Sequence, residues 1–438
     1  MFSKILSILL LLTVTLAEIA RYDNYRAYEL IPKTSEQLKS IHELQESSDS
    51  LIFLQISNHI EQRSLVIVAP HKLADFVAVL DNDEITYRIV DENIQNQITK
   101  QFKSLKQKST STVDWTHYNT LEEINSWLDD LVKKYPNKVE SVVGGKTYEG
   151  REIRGVKISF KKGNPGVFIE GGIHAREWIA PATVTYIANE LLTNTDEKVR
   201  SFVENYDYYI FPVANPDGYK YTFEKDRFWR KTRKPYGKCF GADPNRNWDF
   251  HWHEAGTSSS ACSDTYGGEK GFSEIETATL SEYILSLKGK IHTYIAFHSF
   301  SQLILFPYGH SATHAPNHND LQAIGDAAAK RLAEKYGTRY TVGNVYDAIY
   351  PASGASMDWA YGVAEIPLSF TYELRPNGGF DGFELPEKEI IPTGEETFAS
   401  VLTLLEEGKK LGYHDNNKNC FNLNKNNIFG KLFKIKNC

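Results

Sequence analysis

Val167-Phe168-Ile169-Glu170-Gly171-Gly172-Ile173-His174-Ala175-Arg176-Glu177 is the stretch on which the fold turns. Residues 167–170 form a short run of the kind a fully buried strand needs. Two glycines then let the chain turn sharply. An imidazole and a carboxylate follow, three positions apart, just outside the strand's carboxyl end, where ligands bind in open α/β sheets. His174 and Glu177 are close enough to share a metal ion. Zinc accepts both donor types and keeps one tetrahedral position for water in sites that work on substrates. A third ligand is required, and His298 offers one immediately after a second strand run at 291–297.

The same alternation repeats outward. Strands are predicted at 154–160, 208–213, 303–306 and 368–372, the one at 208–213 stopped by the turn Asn215-Pro-Asp-Gly218. Helices lie between them. Ile124, Trp127, Leu128, Leu131 and Val132 form an i, i+3, i+4 stripe behind a capping box of Thr120 and Glu123. Further helices are expected at 321–336 and 395–411, the latter behind a second capping box, Thr393 with Glu396, and ended by Gly412. This pattern predicts an α/β domain at 113–412, with a mixed, mostly parallel central sheet and helices on both faces.

Residues 18–91 read differently. The order β-α-β-β-α-β predicts a separate ferredoxin-like α+β unit with no catalytic constellation of its own. Residues 92–112 form a polar connecting helix and linker, where Lys100, Lys103, Lys106 and Lys108 precede a Ser/Thr run suited to proteolytic cleavage. Residues 1–17 carry Lys4, a short apolar core and small residues at the end, as a secretory signal does. That run is too short for a comfortable membrane span. Residues 413–438 are an Asn- and Lys-rich tail.

The 438 residues hold 49 Lys plus Arg against 56 Asp plus Glu, and the net charge of −7 gives no basic surface for nucleic acid. Export places the four cysteines in an oxidising setting. Local pairing, Cys239 with Cys262 and Cys420 with Cys438, is preferred over a four-cysteine zinc site, which uses closely spaced pairs.

Two other histidine sets compete for a metal. His251 and His253 would share a strand face, and His310, His314 and His318 would share a helix face if Pro316 did not interrupt it. Both read as surface or packing residues. Glu373 ends the strand at 368–372, where a carboxylate is costly unless partnered or working, and is a candidate general base. Arg230, Arg233, Arg246 and Arg375 cluster in the same half and are suited to clamping a carboxylate.

With these residues in place, the region from about 120 to 412 resembles the pancreatic-type A/B zinc metallocarboxypeptidases, and the unit before it resembles their activation segment. The resemblance rests on eight motifs in order: Tyr148-Glu-Gly-Arg151, His174-Ala-Arg-Glu-Trp178, Asn215-Pro-Asp-Gly218, Trp229-Arg-Lys-Thr-Arg233, Asp243-Pro-Asn-Arg-Asn-Trp248, His298-Ser-Phe-Ser-Gln302, Tyr350-Pro-Ala-Ser-Gly354 and Phe370-Thr-Tyr-Glu-Leu-Arg375. It implies a carboxypeptidase-like fold holding one zinc ion on His174, Glu177 and His298, with Asp243 orienting His174. It implies Glu373 as base and Arg233 as the oxyanion cation. Asn245, Arg246 and a mobile Tyr350 would grip the substrate's terminal carboxylate, and Arg176 and Phe383 would line outer subsites. Met357 stands where B-type members carry an acid, with Leu305, Val345 and Ala352 around it. A buried cation would find no partner there, so the resemblance implies A-type preference for apolar or aromatic C-terminal residues. It further implies a secreted zymogen that a trypsin-like protease activates, acting on the C-termini of peptides or proteins, without nucleic-acid or membrane partners. Phe300, where many relatives have Tyr, and Ala355, in place of a common Gly, depart from the pattern.

Overall fold

The computed structural model describes residues 19–47, 50–107, 112–378 and 382–414. The expected signal segment, residues 108–111 of the linker and the Cys420–Cys438 pair lie outside them. Among the described residues no helix is long and apolar enough to cross a membrane.

The N-terminal unit comprises β1 (Arg26–Ile31), α1 (Ser35–Ser47), β2 (Leu51–Gln55), β3 (Ser64–Val68), α2 (Leu73–Asn82) and β4 (Thr86–Asp91). Its sheet runs β2-β3-β1-β4, antiparallel throughout, as the split β-α-β-β-α-β order requires. β3 reads Ser-Leu-Val-Ile-Val and is buried along its whole length. The pleat sends alternate side chains to opposite faces. Val66 and Val68 pack with Ile41, Phe76 and Leu80 under the two helices. Leu65 and Ile67 face the other way, onto Phe228, Phe300 and Phe383 of the following unit. An apolar strand in a small antiparallel sheet therefore needs two covers, and the second is the rest of the molecule.

α3 (Gln95–Gln107) connects the units. Arg227 donates from Nε to Gln101 Oε1 at 2.7 Å, and Phe102 meets Trp178 edge to face. The start of the described chain is also pinned. Ala20 N donates to Lys225 O at 2.7 Å, and Tyr22 Oη donates to Asp226 Oδ1 at 2.6 Å.

The second unit runs α4 (Leu121–Lys134), β5 (Val139–Lys146), β6 (Glu152–Ser159), β7 (Gly166–Gly171), α5 (Ile179–Thr193), α6 (Glu197–Val203), β8 (Asp207–Phe211), α7 (Pro216–Glu224), a ribbon of β9 (Pro235–Tyr236) and β10 (Cys239–Phe240), α8 (Ile275–Ser286), β11 (Ile291–Ser299), β12 (Leu303–Phe306), α9 (His318–Tyr336), β13 (Thr341–Asn344), α10 (Val345–Ala348), α11 (Ser356–Gly362), β14 (Leu368–Leu374) and α12 (Ile390–Lys410). Eight strands form one sheet in the order β13-β12-β14-β11-β7-β8-β6-β5. β7, β8, β11 and β14 pair in parallel at its centre, as do β12 and β13 at one edge; β5, β6 and β12 add the antiparallel pairings. The central strands are buried on both faces, because apolar clusters lie on each side of the sheet. Cys239 and Cys262 are joined.

The capping box at Thr120 forms in full. The one expected at Thr393 does not. α12 begins three residues earlier, at Ile390, with Pro392 inside its first turn, where a missing N–H costs nothing. Thr393 instead donates its hydroxyl to Glu389 O, and Glu396 is taken by Arg375.

Candidate active site

β7 delivers the first two site residues. Gly172 sits at φ +62°, in the left-handed region that favours glycine. The chain turns there and sets His174 and Glu177 over the strand end. β11 delivers His298, and β14, its parallel neighbour, sets Glu373 directly opposite in register. Both strands end together, so their last polar residues share one crevice.

Within it, the Nδ1 atoms of His174 and His298 face each other at 3.1 Å. Glu177 reaches both rings, with Oε1 2.8 Å from His174 Nδ1 and Oε2 3.1 Å from His298 Nδ1. Ser299 N also donates to Glu177 Oε2, at 3.2 Å. His174 Nε2 is occupied by Asp243 Oδ1 at 3.0 Å, so its proton belongs there and Nδ1 presents a lone pair. Two imidazole lone pairs and a carboxylate converging in a buried site suit a cation, and the donor set fits zinc. Among the described residues, His174, Glu177 and His298 are the one group of three metal-type ligands, all within 4.8 Å of one another.

The electrostatics follow from burial and neighbours. Burial alone would raise the Glu177 carboxyl, but the two imidazoles outweigh it and hold the group well below the usual range. Asp243 is likewise driven low against its burial by Arg230 and His174. Burial dominates at Glu373 and, with Glu177 nearby, lifts it above the ordinary carboxylate range.

Arg233 stands elsewhere. Its guanidinium lies over the rings of Tyr221, Trp229 and Phe240 at 3.6, 4.2 and 4.9 Å, an aromatic cage that holds a cation by the ring quadrupoles. Arg230, not Arg233, is the arginine that reaches the triad's carboxylate and its neighbour. Arg230 Nη2 is 2.7 Å from Asp243 Oδ2, and Nη1 is 3.8 Å from Glu177 Oε1.

Beside this centre, Arg246 is buried and donates from Nη2 to Tyr350 Oη at 3.0 Å and from Nε to Gly256 O at 2.9 Å. Gly354, at φ +68°, lets the loop approach; a Cβ there would stand 2.4 Å from Arg246 O. Asn245 Oδ1 accepts from Ser356 N at 2.9 Å. Met357 is buried, and its sulfur accepts from Thr371 Oγ1 at 3.4 Å. Leu305 pairs with Thr371 across β12 and β14. Val345 and Ala352 both approach Gly309. Arg176 Nη1 donates to Asp264 Oδ2 at 3.0 Å, and its guanidinium lies 4.4 Å from the Phe383 ring.

The rival histidines do not converge. His251 and His253 sit at positive φ outside any strand. His251 stacks on His310, and His314 on His318, each pair at 3.8 Å. Asp358 engages His310 and Asp347 engages His314. Arg375 is spent on Glu389 and Glu396. The sequence reading passed over Glu170, whose only signal was a charge inside an apolar strand run.

The sequence pattern of the zinc carboxypeptidase family matches residues 124–400, and that of the carboxypeptidase activation peptide matches residues 28–101. Zinc carboxypeptidase A 1 of Anopheles gambiae is 54% identical over 407 residues, covering 92% of this chain and 94% of its own length. Carboxypeptidase B of Astacus astacus is 46% identical over 295 residues, 66% of this chain and 96% of its own. The crystal structure of carboxypeptidase A from Helicoverpa armigera superposes with a TM-score of 0.83 at 31% identity, covering 89% of this chain and 99% of its own.

Proposed function

The chain belongs to the zinc carboxypeptidase family and carries the activation peptide, and from that premise we propose a secreted zymogen whose enzyme unit removes apolar or aromatic residues from peptide C-termini. The observation that carries this is the buried, tyrosine-bonded guanidinium of Arg246 standing beside the metal triad.

His174, Glu177 and His298 would hold the ion, with Asp243 fixing the first ring. Zinc, when bound, polarises a scissile carbonyl and makes a water acidic near neutral pH. Glu373 takes the proton of the attacking water and passes it to the leaving amine. Arg230 provides the cation for charge developing on the carbonyl oxygen, a role its distance from Glu177 and Asp243 supports. Arg246, Asn245 and Tyr350 hold the terminal carboxylate of the substrate. An internal peptide bond brings no carboxylate to that clamp, which makes the reaction exopeptidic.

The relatives' names divide between A and B types, so the A-type reading rests on the pocket residues. Met357, Leu305 and Ala352 are buried, and none of them offers a counter-charge to a Lys or Arg side chain. Met adapts to aliphatic and aromatic shapes alike.

The N-terminal unit packs Leu65 and Ile67 on Phe228, Phe300 and Phe383, and so covers the approach to the outer subsites. Domain limits at 18–91, 92–112 and 113–412, with a leader at 1–17 and a tail at 413–438, are part of this reading. So is activation by a trypsin-like protease near Lys103 to Lys108. The Cys239–Cys262 bond supports an oxidising destination outside the cell.

The test is to treat the purified chain with trypsin and offer peptides ending in Phe, Leu, Lys or Arg, with and without a zinc chelator. Chelator-sensitive release of Phe or Leu is expected. Lys release overturns the pocket assignment, and no release from any peptide overturns the enzymatic one.

A further inference from the structure

Apart from Asp207, which pairs with Lys157, the eight-stranded sheet buries a carboxyl for which the reaction has no use, that of Glu170 on β7. Its register places it. Glu170 pairs with Ala296 of β11, Ala296 with Thr371 of β14, and Thr371 with Leu305 of β12. Paired residues project to the same face, and so do residues two apart along a strand. Glu170 therefore shares a face with Ala296 and with His298. It is the diagonal neighbour of His298 across two adjacent strands, a separation that long side chains close.

Three buried atoms in this place lack a well-formed hydrogen bond: Glu170 Oε2, His298 Nε2 and Ser356 Oγ. Glu170 Oε1 accepts from Tyr294 Oη, and the hydroxyl of Ser356, at the start of α11, stands near enough to the same carboxyl to favour its charged form weakly. Leaving such atoms unpaired away from water is costly. Their chemistry is complementary. With Nδ1 of His298 turned to the metal position, Nε2 carries the proton and donates. The carboxyl oxygen accepts, and the hydroxyl does either. A buried water makes about three hydrogen bonds, and this trio supplies that number.

We propose that Glu170 and Ser356 are the positioning partners of His298, holding its Nε2–H through one shared water as Asp243 holds His174 directly. The inference rests on the zinc reading of the triad. Metal-bound imidazoles commonly donate their second N–H to a carboxylate, carbonyl or water, and losing that partner weakens metal affinity roughly 10–100-fold.

The full chain is tested by competing zinc away with a chromophoric chelator and by recording the visible spectrum of the cobalt-substituted protein. Glu170→Ala is expected to weaken zinc about 10–100-fold, and Glu170→Gln about tenfold. Ser356→Ala moves affinity in the same direction, and Glu170→Asp recovers most of it. The cobalt bands shift in the Gln and Ala variants. Should Glu170→Ala fail to fold, the isosteric Gln variant and Ser356→Ala decide the matter. Zinc affinity within about threefold of the parent in both, with unchanged cobalt bands, overturns the assignment and leaves Glu170 a packing residue. A parent chain that takes up no zinc overturns the metal reading itself, a distinct result.

Discussion

The two sheets differ in what they bury beside apolar atoms. The four-stranded sheet hides apolar atoms on both faces, one under its own helices and one against the mouth of the following unit. The eight-stranded sheet has apolar clusters on both faces too, but it also hides charge: Glu170, Glu177, Asp243, His174, His298 and Arg246 are buried around the ends of its central strands. Apolar burial asks only for contact and can be undone by lifting one surface from another. Buried charge must be paired in place and stays with its scaffold. A cover belongs on the first kind of surface and a reaction centre on the second.

Glu373→Gln presses hardest on this contrast. Turnover of the trypsin-treated enzyme is expected to fall about 10²–10⁴-fold, with zinc content by metal analysis unchanged; retained turnover removes the assigned base. Arg230 and Arg233 sharpen it next. Arg230→Ala is expected to cost about 10²–10³ in kcat, whereas Arg233→Ala, taken from an aromatic cage, costs less than about tenfold. Equal losses in steady-state assays would put both cations at the reacting carbonyl. On the apolar side, Ile67→Ala should destabilise the covering unit by about 2–4 kcal/mol and raise peptide hydrolysis by the uncleaved chain. A chain that loses stability in denaturant melts yet gains no activity would show that Ile67 guards nothing.

The smallest effect lies at the far end of β11, where the sheet buries a neutral group. His414 sits between Tyr206 Oη and Thr293 Oγ1, each 3.0 Å away. Burial, and then His292 and Lys409, push its pKa down to about 3. The unfolded ring takes up its proton near 6.5, so this contribution is full above about pH 6.5 and drains as pH falls toward 3. By pH 5 the loss is about 2 kcal/mol. Denaturant melts at pH 7 and pH 5 should show it, and a His414→Asn variant should show a shallower slope.

Much of this was legible in the chain. Apolar runs marked β7, β11 and β14, because central parallel strands have no solvent face to encode. β5 escaped notice because an edge strand mixes exposed and buried positions and carries two glycines. The Thr393 box was misread because a proline within the first turn hid the true start of α12. The metal triad could be read from strand ends. Arg230 and Arg233 could not be told apart, since the two lie three residues apart among aromatics and only the fold brings Tyr221 and Phe240 to one of them.

Tyr22 and Ala20 are fastened to Asp226 and Lys225, some two hundred positions down the chain. Severing the backbone near residue 108 would therefore cut a tether and leave the clasp shut. The liberated unit would depart at its own pace, and product would accumulate only after a lag, shortened by dilution of the cut chain or by Tyr22→Phe.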